Sequence, residues 1–218
     1  MPTVGQTAKS IAVLLGLFLL VPTAHAGPPL ICHAFVIGAA PALPWAESQN
    51  WRAPRRDYDV DRLSTDLLAL LSADAPVLAR MENMRRATIY AAEDRRAAAD
   101  LLAALLERAR EPQRDAREAA LRSFDAGYLI ESYRQYNVAL SQGMTGKARA
   151  GLPVDPDSDG YALVTAAAAA LPEQAAEIEF AASLMTDDAA TSERHRAIAA
   201  ARAAPGSQLA INLEAWGS

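Results

Sequence analysis

The sequence predicts one all-α domain of consecutive antiparallel helical hairpins, solenoid-like or an irregular bundle, behind an extended N-terminal arm. Three observations carry this expectation. Apolar residues recur at helical spacing from about Asp61 onward. No alternating stretch is long enough to build a sheet. The chain is 51% hydrophobic, yet its one long apolar run lies at the very start.

That run is the first element. Lys9, the apolar stretch "IAVLLGLFLLVP" (Ile11 to Pro22) and the small residues of Ala24-His25-Ala26 read as a signal peptide over residues 1–26, cleaved after Ala26. The stretch is too short to span a bilayer, and Pro22 breaks it. The bulky Ile31 ahead of Cys32 argues against lipid attachment. The expected location is periplasmic or secreted, with no membrane contact after cleavage. Loss of Lys9 leaves 20 Lys+Arg against 26 Asp+Glu, an acidic balance that argues against nucleic acid as the partner. The single cysteine forms no intrachain disulfide, so about 190 mature residues must build their core by packing alone.

The second element, residues 27–54, is an apolar, Pro-rich arm. Leu30, Ile31, Phe35, Val36 and Ile37 are its anchors, and Trp45 and Trp51 staple its far end. Within it Cys32-His33 has two readings. A thiolate beside an imidazole suits a soft metal or a thiol-dependent reaction, with His195 as the mature chain's other histidine. Alternatively, Cys32 is a small hydrophobe buried as the arm docks.

Residues 55–218 form the helical domain. "VDRLSTDLLALLS" carries Leu63, Leu67, Leu70 and Leu71, and "PVLARMENMRRATIYAAE" carries Val77, Met81, Met84, Thr88 and Ala91. In "RRAAADLLAALLERAR" the residues Ala98, Leu101, Leu102, Leu105, Leu106 and Ala109 make one stripe. Pro112 is expected to open the next helix, with Ala116, Ala120 and Phe124 along it, and Gly127 to end it. Leu129, Tyr133, Tyr136 and Leu140 then define a further helix. Pro172 is expected to start a helix with Ile178, Ala181, Ala182 and Met185 inward. "TSERHRAIAAARAA" is expected to begin on a Ser or Thr cap and stop near Pro205-Gly206. "LICHAFVIG" and "QLAINLEAW" are the two strand-like pieces.

"ALRSFDAGYL" (Ala120 to Leu129) and "AEIEFAASLM" (Ala176 to Met185) share Ala-x-x-x-Phe-x-Ala at an offset of 56 residues. Removing the Gly- and Pro-rich loop 143–160 leaves 38, near the length of a two-helix repeat. The spacing resembles the second-helix signature of tetratricopeptide repeats, over these two segments and without the first-helix signature. The resemblance implies a helical array that offers a groove to a protein partner. Tyr128, Tyr133 and Tyr136 are the candidate groove residues, since tyrosine combines area with a polar tip.

The same loop holds "DPDSDG". Asp155, Asp157 and Asp159 sit at positions one, three and five of a calcium loop, with Gly160 at six. Position twelve is Ala166 rather than glutamate, so the competing reading is a polar turn in which Asp159 or Ser158 caps a helix. Lys147 or Arg149 is expected to supply a nearby positive charge. Otherwise no cofactor is expected, and no convergent catalytic set occurs. "GMTGKA" lacks phosphate-loop spacing, and Glu93-Asp94 and Asp187-Asp188 are adjacent pairs that point apart on a helix. The expected function is an exported, non-enzymatic binding or scaffold module that engages another protein through a groove or its arm. The alternative is a metal- or thiol-dependent carrier or enzyme using Cys32 and His33.

Overall fold

Aspartate punctuates this chain. In the computed structural model, which describes residues 29–46, 54–145 and 150–217, four helices start on an aspartate whose carboxylate accepts first-turn N–H groups. The described residues form α1 (Pro29–Cys32), a 3-10 turn (Val60–Arg62), α2 (Leu63–Leu70), α3 (Val77–Ala91), α4 (Arg95–Arg110), α5 (Ala116–Ser141), α6 (Gly160–Ala170), α7 (Ala175–Ser183), α8 (Ala189–Arg202) and α9 (Gln208–Gly217). The aspartate caps are Asp94 for α4, Asp115 for α5, Asp159 for α6 and Asp188 for α8. Helix α3 has no cap of its own. Its first N–H, from Val77, is taken by the Glu177 carboxylate of α7.

Successive helices pack on one another, so the fold is an all-α array of hairpins; α3 also touches α5 and α7. The core runs continuously from Leu30 and Phe35 through α2 to α7 and on to Leu209 and Trp216. The leucine stripe of α4 behaves as its spacing requires: Ala98, Leu101 and Leu105 are buried, and Leu102, Leu106 and Ala109 pack half-buried beside them.

Several sequence expectations change here. Pro112 opens no helix; α5 begins four residues later behind Asp115. Gly127 does not end α5 but lies in the middle of one 26-residue helix, about 39 Å long. It is there for proximity. A Cβ at Gly127 would lie 2.6 Å from the Gly160 carbonyl oxygen and 2.8 Å from the Leu163 Cβ. One turn on, Glu131 accepts the N–H groups of Gly160 and Tyr161. The start of α6 is therefore locked against α5.

Residues 172–174 form a turn, so α7 starts at Ala175 rather than Pro172. The cap of α8 is Asp188, not Ser or Thr. "QLAINLEAW" is not a strand but α9, with Leu209, Asn212 and Trp216 buried at helical spacing. "LICHAFVIG" opens with the single turn of α1 and only then extends.

The body also buries charge. Arg80 of α3 and Asp125 of α5 pair at 2.7 Å with both side chains buried. Burial pushes the Asp125 carboxyl up to about 6, against the pull of Arg80. The rest of the Arg80 guanidinium donates to the carbonyls of Ser72 and Ala75, while Arg108 reaches Leu71 and Arg117 reaches Ala73. Three arginines thus satisfy the carbonyls of the turn between α2 and α3. Residues 1–28, which include the expected signal peptide, lie outside the described residues, as do Trp51, Lys147 and Arg149. Among the described residues no helix is long and apolar enough to cross a membrane.

Candidate functional site

The arm is the feature with the most unusual chemistry. Helix α3 is buried on nearly every face, including Arg80, Glu82, Asn83, Arg85 and Thr88. Its polar side is covered because residues 33–46 lie across it, extended on either side of a turn at Gly38–Ala39. An extended segment laid on helices has no neighbouring strand to take its N–H and C=O groups, so side chains must take them.

They do so residue by residue. The Leu30 N–H donates to Gln135 Oε1 of α5 at 2.8 Å, and the Phe35 N–H to Glu82 Oε2 at 3.0 Å. Asn212 of α9 grips Val36 at both ends: its Oδ1 accepts the N–H at 2.9 Å and its Nδ2 donates to the carbonyl at 2.9 Å. Asn83 grips the next stretch, accepting from the Leu43 N–H at 2.8 Å and donating to the Pro41 carbonyl at 3.1 Å. The Leu43 carbonyl takes Arg86 at 2.5 Å, and the Pro44 carbonyl takes the Tyr90 hydroxyl at 2.5 Å. An asparagine amide presents one acceptor and two donors in one plane, the pattern a peptide backbone presents in reverse. The body uses the same device elsewhere, where Asn137 holds both the N–H and the carbonyl of Leu152.

Glu82 anchors this arrangement. Its carboxylate accepts from the Phe35 N–H, from Arg85 twice and from Arg86 at 2.6 Å. Burial pushes its carboxyl up, but Arg85, Arg86 and the Phe35 N–H together outweigh that and hold it below its ordinary value. Side-chain recognition of the arm is concentrated in a few seats. Phe35 stacks on Trp216 and meets Phe180 edge-on. Leu30, Ile31 and Leu43 are fully buried, each worth about 2 kcal/mol of apolar burial. Trp45 lies edge-on to Tyr90 beneath the Arg85 and Arg86 guanidinium groups. Beside it, Pro44, Arg55, Asp57, Tyr58, Asp59, Arg62 and Asp66 line a cleft of about 370 Å³. Its charges already pair, Arg55 with Asp57 and Arg62 with Asp66.

The other sequence candidates fall into place around this. Cys32 is buried at 7% exposure, inside the docked arm, while His33 is exposed and lies against Trp216 with ring centroids 4.5 Å apart. His195 is occupied elsewhere, buried between Tyr161 of α6 and Glu179 of α7. Among the described residues no group of three or more His, Cys, Asp or Glu is placed to hold a metal ion. The aspartate loop is organised by its own hydrogen bonds. Asp155 accepts the Asp157 N–H, and Asp159 caps α6 through the Ala162 N–H. The positive charge comes from Arg134, which pairs with Glu131 and donates to the carbonyls of Pro156 and Ser158.

Tyr128, Tyr133 and Tyr136 require correction as groove residues. All three are buried, Tyr136 the most exposed at 3%. Helix α5 is covered by α1, α3, α4 and α6, so its tyrosines pack the body, and the Tyr133 hydroxyl donates to the Ala98 carbonyl. What the sequence did not flag was Glu82, Asn83, Gln135 and Asn212. The signal was a polar residue at an inward position of an otherwise apolar stripe, as at Asn212 between Leu209 and Trp216. No protein family, curated protein or solved structure matches the chain.

Proposed function

We propose that this chain is an exported, non-enzymatic binding module whose helical array holds an extended peptide segment, and that its own arm occupies the seat until a partner's segment replaces it. The observation behind this reading is the backbone grip on residues 35–43 by Glu82, Asn83, Arg86 and Asn212. Backbone recognition tolerates many sequences, and Phe35 and Leu43 supply the two principal seats that read side chains. The signal-like start of the sequence supports export, and the acidic balance supports a protein partner over nucleic acid.

The test uses the full chain and a labelled synthetic peptide of residues 29–46. Phe35→Ala in the chain weakens its own arm by about 3 kcal/mol. The peptide, which retains Phe35, should then bind this variant at least tenfold more tightly than it binds wild type. A peptide carrying Phe35→Ala should lose that gain. Equal affinity for both chains, or no binding to either, contradicts the reading.

A further inference from the structure

We propose that Tyr161, His195 and Glu179 form a nucleophilic site that accepts an acyl group on the Tyr161 oxygen. The three residues come from α6, α8 and α7, and none belongs to the arm or its seat. The Glu179 carboxylate binds His195 Nδ1, and the Tyr161 hydroxyl lies 2.6 Å from His195 Nε2. A carboxylate only accepts, so Nδ1 carries the proton and Nε2 presents its lone pair to the phenol. A nucleophile, a base in hydrogen-bond contact with it and a third group orienting that base is the arrangement activated nucleophiles require.

The surroundings support the assignment. His195 is 8% exposed and its ring stands edge-on to Tyr161, so its position is fixed, while Tyr161 keeps part of its surface in solvent. The start of α6 that carries Tyr161 is locked to α5 through Gly127, Gly160 and Glu131. Glu131 and Asp159 flank the Tyr161 backbone, and the Arg134 guanidinium is committed to Glu131 and two loop carbonyls. An oxygen nucleophile paired with a base takes an activated acyl ester as its electrophile.

In the step, the Tyr161 O–H bond breaks and its proton passes to His195 Nε2. The phenolic oxygen bonds to the acyl carbon, and the bond to the leaving alcohol breaks with its electron pair. The alkoxide then takes the proton from His195 Nε2, which restores the neutral imidazole. Glu179 is a positioning residue, holding the tautomer and stabilising the transient imidazolium.

The probe is p-nitrophenyl acetate with the full chain, read by peptide mapping in a mass spectrometer. Acetylation should fall on Tyr161, at least tenfold faster than on the half-buried Tyr58. His195→Gln and Glu179→Gln, each checked for an intact thermal transition, should slow it at least tenfold. If either variant fails to fold, the other variant and the Tyr58 comparison decide. Equal labelling of Tyr161 and Tyr58, or an unchanged rate in a folded variant, would overturn the proposal and leave the three residues as a pin between helices.

Discussion

Replacing Gly127 with alanine sets two effects of opposite sign against each other. In an exposed helix interior this change stabilises by about 1 kcal/mol, because alanine loses less backbone entropy. Here the new methyl would meet the Gly160 carbonyl oxygen at 2.6 Å and the Leu163 Cβ at 2.8 Å. Neither neighbour is the end of a flexible side chain, so α6 must slide away from α5. That motion strains the N–H bonds from Gly160 and Tyr161 to Glu131. Overpacking of this kind costs about 1–3 kcal/mol, and weakening two hydrogen bonds to a buried carboxylate adds about 1 kcal/mol. The clash wins, and the net loss should be about 1–3 kcal/mol, a fall in Tm of several degrees for a chain of this size. Urea unfolding followed by circular dichroism measures it. Unchanged or increased stability would refute the close approach of α5 and α6, and with it the placement of Tyr161.

The remaining predictions concern the arm and the buried charges. Asn83→Ala should cost about 2–4 kcal/mol in urea unfolding, because it strands the Leu43 N–H and the Pro41 carbonyl together. Arg80→Met should cost about 3–5 kcal/mol at pH 7 in urea unfolding, because it strips the buried Asp125 carboxylate of its cation and the Ser72 and Ala75 carbonyls of their donors. The Asp125 carboxyl is raised to about 6, so the fold binds its proton more tightly than the unfolded chain does. Its contribution should therefore fall as pH rises from about 4 to 6, a slope that Asp125→Asn removes in the pH dependence of the urea midpoint. Glu82 has the opposite sign. Its carboxyl is held below the ordinary 4.5, so its stabilisation is present above that value and is lost as pH falls through the folded-state value. Acid should release the arm, read as faster labelling of Cys32 by a thiol reagent active at low pH.

The helices of the body were legible because their chemistry is one-sided. The α4 stripe from Ala98 to Ala109 and the Asp159 cap could be read directly. Boundaries failed where one residue type serves two purposes. Gly127 reads as a terminator because glycine is usually placed for its conformational freedom, yet here its missing side chain lets the α6 backbone approach. Pro112 and Pro172 read as helix starts but lie in the turns before α5 and α7. Helix α9 was hidden because the inward residue of its stripe is Asn212, whose polar side chain interrupts the apolar period. The tyrosines of α5 looked like a surface because their hydroxyls are polar, but α1, α3, α4 and α6 pack on this helix, and every residue from Phe124 to Tyr133 is buried. The seat of the arm was not readable for a related reason. Glu82, Asn83 and Arg86 have the composition of a solvated helix face, and only the segment lying across them shows that their partner is backbone.

The backbone grip on the arm is the central claim, and amide hydrogen exchange resolved by residue tests it most directly. The N–H groups of Phe35, Val36 and Leu43 lie in extended chain and bond to Glu82, Asn212 and Asn83. The account predicts that these three amides exchange far more slowly than free chain, and that Asn212→Ala releases Val36 while α4 and α5 stay protected. Exchange of all three at the rate of free chain in the wild-type protein would contradict it.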